Sequence, residues 1–104
     1  MTHIECNTNG SEFSITSIGH ADYAPVGKDI VCAGISILLQ TIIVHLDAED
    51  YDIRDGALWV HGKGEKAMGV YEFVLTGLKL IEINYPSHIE VTEGCTINSE
   101  SPLI

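Results

Sequence analysis

The residue types that could support chemistry are a thiol and an imidazole in the first third of the chain. Cys32 lies in the run Asp29-Ile30-Val31-Cys32-Ala33, which is typical of the first turn of a helix. Asp29 is a good N-cap, because its carboxylate can accept hydrogen bonds from backbone N–H groups two or three residues on. The unpaired N–H groups and the dipole at a helix start favour negative charge, and therefore favour a thiolate. His20 lies across a loop that contains glycine and proline, and it can fold back toward the thiol.

These two residues have the chemistry of a cysteine nucleophile and its general base, with helix N–H groups as an anion site. A cysteine in an apolar helix is also commonly a small buried hydrophobic residue. One Cys and one His at arbitrary spacing form a common pattern. The residues alone therefore leave a catalytic and a structural interpretation of Cys32 and His20 open.

A longer run around this pair resembles the ribosomal-processing cysteine proteases, the Prp family. The resemblance is carried by the run Gly19-His20-Ala21-x-Tyr23-Ala24-x-x-Gly27-x-Asp29-Ile30-Val31-Cys32-Ala33-x-x-Ser36-x-Leu38-x-Gln40-Thr41. It continues through an Asp-Gly hairpin, a second helix with Gly77-Leu78, and Tyr85-Pro86, and so covers residues 1 to about 93. The chain departs from the usual pattern at Asp22 in the loop and at Gly34 in the helix.

The resemblance implies an endopeptidase that removes a short N-terminal extension from large-subunit ribosomal protein twenty-seven. It implies a Cys-His dyad of Cys32 and His20, in which Asp29 and Ser36 are supporting polar residues. It also implies a homodimer. No cofactor is implied, and no metal, since none of the histidines pairs with another His or Cys at metal-ligand spacing.

The loop from Gly19 to Lys28 is predicted to contribute to substrate binding. The residues assigned to that role are Gly19, Ala21, Tyr23 and Gly27. Glycines at both ends can act as hinges, and Pro25 limits the conformations between them, so we predict a lid that orders when peptide binds. What orients the His20 ring is left open, because Asp29 is better explained as a helix cap; Asp22 is the other nearby acid.

Local patterns predict an α/β (α+β) fold, with a five-stranded, mostly antiparallel sheet and two helices packed on one face. Asn9-Gly10 and Asp55-Gly56 are tight-turn signals between strand-forming runs. The predicted strands are 2–7, 12–18, 51–54, 57–61 and 88–91, and the predicted helices are 29–46 and 65–84. The first helix is apolar nearly all round, which predicts burial against the sheet and against the second helix or a twin subunit.

A length of 104 residues predicts one domain. We assign it to residues 1–93, because residues 94–104 lack periodicity and are predicted to form a flexible tail.

The charge and the cysteine content limit the possible partners and compartment. Five basic and fifteen acidic residues give a net charge of −10, which argues against binding to nucleic acid or to an anionic membrane. The charge suits a basic partner, such as a ribosomal protein, or serves solubility alone.

The number of cysteines is odd and their spacing is irregular, which favours a reducing compartment; they are Cys6, Cys32 and Cys95. No signal peptide or membrane span is visible, so we predict a cytoplasmic protein.

Two further functions stay open. One is a non-catalytic, ribosome-associated binding module of the same fold, in which Cys32 is a core residue. The other is a phage-type protease that processes capsid proteins.

Overall fold

The computed structural model describes residues 1–25 and 27–103. Along the chain the elements are β1 (Thr2–Thr8), β2 (Glu12–Ile18), α1 (Ile30–His45), β3 (Tyr51–Arg54), β4 (Ala57–Lys63), α2 (Glu65–Asn84) and β5 (Ile89–Gly94). Val26 of the predicted lid and Ile104 of the predicted tail lie outside the described residues. No helix in the described part of the chain is long and apolar enough to cross a membrane.

The five strands form one mixed sheet in the order β3-β4-β2-β1-β5. Three of the four neighbouring pairs are antiparallel, and β1 pairs with β5 in parallel. The predicted antiparallel character and α+β class are therefore confirmed.

The last strand was predicted at 88–91, but it runs from Ile89 to Gly94. His88 instead lies in the turn before the strand, where its Nδ1 is 2.9 Å from the Ala21 carbonyl oxygen.

Both helices pack on the same face of the sheet, where apolar side chains alternate along the two central strands. Ile4 and Cys6 of β1 and Phe13 and Ile15 of β2 are each at most 1% exposed. Phe13 stacks on Tyr71 of α2 with ring centroids 5.0 Å apart. This core fixes α1 against the sheet, and so fixes the position of the residues at the start of that helix.

The two helices approach each other closely at Gly77 of α2. A Cβ placed there would lie 3.0 Å from Cδ1 of Leu38 on α1, which is a tight contact. Gly77 therefore permits the two helices to pack closely. The wide apolar surface of α1 is thus shared between the sheet and α2, although part of it stays exposed.

The segment after β5 returns across the sheet face that is opposite the helices. The Asn98 backbone N–H donates to Ser14 Oγ at 3.0 Å, and Trp59 Nε1 donates to the Asn98 carbonyl oxygen at 3.0 Å. Ser101 Oγ donates to Asp52 Oδ2 at 2.9 Å. These contacts bury Trp59, which is 4% exposed. The mobility of the tail in solution stays a prediction.

Candidate active site

Cys32 lies in the first turn of α1, and Asp29 caps that turn. Asp29 has an extended backbone, and its Oδ1 accepts a hydrogen bond of 2.9 Å from the Cys32 backbone N–H. The predicted N-cap is therefore confirmed. The Ala33 N–H donates to the Asp29 carbonyl oxygen at 3.0 Å. Two of the helix N–H groups that we expected to bind an oxyanion are thus already occupied by Asp29.

The same carboxylate connects the helix to the loop that precedes it. Asp29 Oδ2 accepts a hydrogen bond of 3.0 Å from the Tyr23 backbone N–H. Burial alone would raise the pKa of Asp29, but hydrogen bonds from backbone N–H groups, those of Cys32 and Tyr23 foremost, outweigh it and lower the pKa. Asp29 is therefore ionised at neutral pH and holds the loop and the first helical turn together.

His20 follows β2 and rests against the turn between β3 and β4. The Gly19 N–H donates to the Gly56 carbonyl oxygen at 2.8 Å, and the register places Ile18 opposite Ala57. A Cβ placed on Gly56 would lie 3.0 Å from His20 Nε2. The imidazole is thus packed over a glycine of the β3–β4 turn, in an exposed position.

Gly19 is constrained by its surroundings as well as by its backbone. It has a φ of +98°, and a Cβ placed there would lie 2.6 Å from the Met1 carbonyl oxygen. Only glycine avoids both the unfavourable φ and this clash. The residue therefore allows the chain to turn out of β2 and carry His20 to the hairpin.

Cys32 and His20 line the same two neighbouring clefts. The first has a volume of about 240 Å³ and the second about 660 Å³, and Ser36 and Asp55 also line both. Ser36 lies one helical turn after Cys32, on the same side of α1. Within the described residues, no hydrogen bond joins Cys32 Sγ to the His20 ring. The structure thus places thiol and imidazole at one cleft without a direct hydrogen bond.

The other predicted site residues separate into two groups. Gly19 lines the first cleft, whereas Gly27 and Asp29 line the second. Ala21 and Tyr23 are not among the residues that line either cleft. Ala21 is 1% exposed and packs in the core, and the Tyr23 ring packs edge-to-face against Tyr85 and His88. Their contacts anchor the loop to the body of the protein.

Asp22 and Asp55 are acidic residues that line clefts shared with His20. Asp22 has a positive φ of 55°, lines the second cleft, and lies 3.6 Å from the N-terminal amine. Asp55 was interpreted only as part of a turn, and its place beside His20 was missed. The Asp-Gly signal locates the hairpin in the sequence, but only the pairing of β2 with β4 brings it to the site.

The three cysteines have different surroundings. Cys6 is buried in the core, and burial raises the pKa of its thiol to about 12, with the Glu93 carboxylate contributing further. Cys95 is exposed, after the last strand. Cys32 is half-buried and lines the clefts. Its position makes it the thiol that a bound peptide can reach beside an imidazole.

Across residues 1–25 and 27–103, no group of three or more His, Cys, Asp or Glu side chains is placed to hold a metal ion.

The family model described as cysteine protease Prp matches residues 1–90. The chain belongs to this family. The resemblance seen in the sequence around Cys32 is therefore confirmed over most of the chain. Membership of the Prp family makes the protein a cysteine protease of the ribosomal-processing type.

Relatives and solved structures agree with this assignment. The ribosomal processing cysteine protease Prp of Staphylococcus aureus strain Mu50 is 30% identical over 98 residues, which is 85% of this chain and 92% of that protein. The crystal structure of the S. aureus essential ribosomal processing protease Prp with a covalently linked product peptide is similar at a TM-score of 0.78 and 25% identity. That similarity covers 89% of this chain and 99% of the other.

Two further structures support the fold. The S. aureus enzyme in complex with a substrate peptide has a TM-score of 0.68 at 24% identity, covering 89% of this chain and 99% of that one. A Streptococcus mutans protein has a TM-score of 0.68 at 23% identity, covering 92% and 96%. The Prp fold thus extends over nearly the whole chain.

Proposed function

We propose that this chain is an endopeptidase that removes the N-terminal extension of large-subunit ribosomal protein twenty-seven in the cytoplasm. Cys32 is the nucleophile and His20 the general base in this proposal. The observation that carries it is that the two side chains line the same clefts, with Cys32 at the capped start of α1. The catalytic unit is the domain formed by residues 1–93, and residues 94–104 lie outside it.

The proposed reaction proceeds through a thioester. His20 takes the proton from Cys32 Sγ, and the sulfur attacks the scissile carbonyl carbon, whose oxygen becomes negatively charged. The C–N bond then breaks, His20 donates its proton to the leaving amine, and the acyl group stays on the sulfur. A water molecule, deprotonated by His20, attacks the thioester carbon. The acid product leaves and the thiol is restored.

Ser36 and Asp29 have supporting roles in this mechanism. The Cys32 and Ala33 N–H groups are engaged by Asp29, so a further donor is needed near the reacting carbonyl oxygen. The Ser36 hydroxyl lines both clefts and makes no hydrogen bond within the described residues. We assign it that donation. Asp29 acts by position, because it fixes the first turn of α1 and the loop together.

The charge of the second cleft suits a basic peptide. Asp22, Asp29 and Asp55 line the second cleft, where Lys28 is the basic residue among the lining side chains. The whole chain carries a net charge of −10. A basic substrate would be attracted to such a surface at low ionic strength. Gly27 and Lys28 of the loop, which line this cleft, would contact that substrate.

We also propose that two copies associate through the outer faces of the helices. Ile30, Ile37 and Val44 of α1 are spaced by seven residues and are 58%, 65% and 79% exposed. Phe73 and Leu80 have the same spacing on α2 and are 78% and 55% exposed. Contiguous exposed apolar residues on one face are typical of a protein interface. Analytical ultracentrifugation should show a dimer for the natural chain.

A dimer-breaking variant provides the matching test. Replacing Phe73 by Glu places a charge in the apolar surface and should yield a monomer, while Glu72→Gln, one position away, should leave the dimer intact. A monomeric natural chain at micromolar concentration would contradict the proposed interface.

The decisive experiment for the activity uses an extended ribosomal protein as substrate. Mass spectrometry of the products should show one new N-terminus with the natural chain. Cys32→Ala and Cys32→Ser should abolish cleavage and leave the thermal unfolding midpoint nearly unchanged. Cys95→Ala is the matched control, because that thiol lies after the last strand, and it should cut normally. Cleavage by the Cys32→Ala protein would overturn the proposal.

Thiol reactivity separates this function from that of a non-catalytic binding module. The absence of a hydrogen bond between Cys32 Sγ and the His20 ring within the described residues is the observation that favours the alternative. A nucleophile reacts with iodoacetamide near neutral pH, and Cys32 should react faster than Cys6 or Cys95. Binding of the ribosomal protein without cleavage, together with an unreactive Cys32, would establish the binding module instead.

A further inference from the structure

The floor of the smaller cleft contains two buried hydroxyl groups that the proposed mechanism does not use. Thr2, at the start of β1, is 3% exposed, and Ser17, near the end of β2, is 7% exposed. Both residues line the cleft of about 240 Å³ that also contains Cys32 and His20. They face the helices, because they continue the alternation that buries Ile4 beside them.

Within the described residues, neither hydroxyl has a hydrogen-bond partner. In the same part of the chain, every side-chain oxygen or nitrogen that is sealed from solvent does have one. The Thr2 and Ser17 hydroxyl oxygens are therefore accessible to solvent. Since both residues line the cleft, solvent reaches these oxygens through the cleft. Both hydroxyl groups can therefore exchange water for a polar group that enters the cleft, since a hydroxyl can donate one hydrogen bond and accept others.

Apolar side chains form two walls of the cleft, and Ser36, Gln40, Arg54 and Asp55 add polar groups to the rest of its lining. Ile35 and Leu39 of α1 form one wall, and Ile53 and Leu58 of the β3–β4 hairpin form the other. A ligand between these two walls would contact their hydrocarbon and could reach the hydroxyl groups of Thr2 and Ser17. Ligand pockets commonly combine an apolar lining with a few polar groups that fix orientation.

We propose that this cleft is a specificity pocket for one substrate side chain with an apolar body and a hydrogen-bonding end, such as Gln or Tyr. The pocket rests on the proposed function, since it lies beside the proposed nucleophile and receives a residue near the scissile bond. Thr2 and Ser17 bind the amide or hydroxyl end of that side chain. Ile35 and Ile53 contact its body.

The pocket predicts a preference between side chains of similar size. Gln and Met have similar lengths, and Tyr and Phe differ only by the hydroxyl group. A side chain without the polar end would leave two buried hydroxyls unpaired, which lowers affinity by about tenfold if one good hydrogen bond is lost. At one position of a bound peptide, Gln should therefore be preferred to Met, and Tyr to Phe, by about that factor.

The test measures binding to the Cys32→Ala protein, so that it does not depend on cleavage. Fluorescein-labelled ten-residue peptides carry Gln or Met, and Tyr or Phe, at each position in turn, and fluorescence anisotropy gives the dissociation constants. The polar member should bind about tenfold more tightly at one position. In the Thr2→Val and Ser17→Ala backgrounds this preference should fall to about twofold or less.

A buried threonine on the opposite face supplies the control. Thr16 is 6% exposed and lies outside the cleft. Thr16→Val should keep the full preference, and thermal unfolding should show all three hydroxyl variants to be folded. Equal binding of the paired peptides at every position, or no peptide binding at all, would overturn the pocket. If the preference is present but the natural chain cuts none of the peptides, the proposed function fails and the pocket stands.

Discussion

Replacing Asp29 separates its role as a helix cap from its role as a charge. Its two carboxylate oxygens accept hydrogen bonds from backbone N–H groups of Cys32 and Tyr23, at 2.9 and 3.0 Å. Asp29→Ala removes both bonds, so the first turn of α1 and the loop that follows His20 lose their common anchor. Asp29→Asn keeps an acceptor for the helix and removes the negative charge.

The expected magnitude follows from the two bonds. Loss of an N-cap side chain costs about 1 kcal/mol. Loss of the bond to the loop adds about 0.5–1 kcal/mol, because both groups are partly solvated. The Ala variant should therefore unfold roughly 6–12 °C below the natural chain, on the usual scaling for a domain of this size. Asn is as good an N-cap as Asp, but its NH2 group cannot accept the Tyr23 bond, so its variant should lose only the loop bond, about 0.5–1 kcal/mol.

The assay combines thermal unfolding followed by circular dichroism with peptide cleavage. Asp29→Ala should lose about tenfold or more in kcat/KM, because one carboxylate no longer holds the Cys32 turn and the Tyr23 loop together. Asp29→Asn keeps the helix cap and should therefore lose less activity. If the Ala and Asn variants are equally stable and equally active, Asp29 is not the anchor described here. If both are inactive but stable, its charge matters more than its cap.

The pH dependence of stability gives an independent check. The folded-state pKa of Asp29 is below its ordinary value, so its contribution is fully present above about pH 4 and is lost as pH falls through the folded value. The stability gap between the natural chain and Asp29→Ala should therefore be largest at pH 6–7 and narrow below about pH 4. A gap that is constant from pH 7 to pH 3 would contradict this linkage.

Two further predictions concern the hairpin and the tail. Gly56→Ala should reduce cleavage far more than stability, because the new Cβ would lie 3.0 Å from His20 Nε2 at a residue whose φ is +72°. The control is Gly10→Ala, which has a φ of +94° and open space around it. It introduces backbone strain alone and should cleave the substrate normally. Removing residues 95–104 should leave cleavage intact but uncover Trp59, whose emission should shift to longer wavelength. Equal cleavage by the two glycine variants would contradict the placement of His20, and an unchanged emission spectrum would contradict the packing of the tail.

Much of the fold could be predicted because its signals are local. Asn9-Gly10 marks the first hairpin, and α2 was predicted at its observed bounds because the sequence shows a helical stripe that ends before Pro86. The start of α1 was predicted from the capping chemistry of Asp29. Each of these signals depends on neighbouring residues alone, so it survives without knowledge of the tertiary structure.

The strand order and the walls of the cleft could not be predicted in the same way. Nothing local specifies that β5 pairs in parallel with β1, or that β4 lies beside β2. The pairing of β4 with β2 brings Asp55 and Gly56 to the clefts that His20 lines, and brings Leu58 into the smaller cleft. The sequence therefore indicated the thiol and the imidazole, whereas the surfaces that a peptide side chain would meet depended on contacts between distant segments.

The position of His20 on the β3–β4 turn has a consequence for inhibitor design. The imidazole rests on a hairpin that is separate from the helix that carries the sulfur, so a compound wedged under the hairpin could displace the ring without meeting Cys32. Such a compound needs no electrophilic group, and its selectivity would depend on the shape of the turn rather than on thiol reactivity.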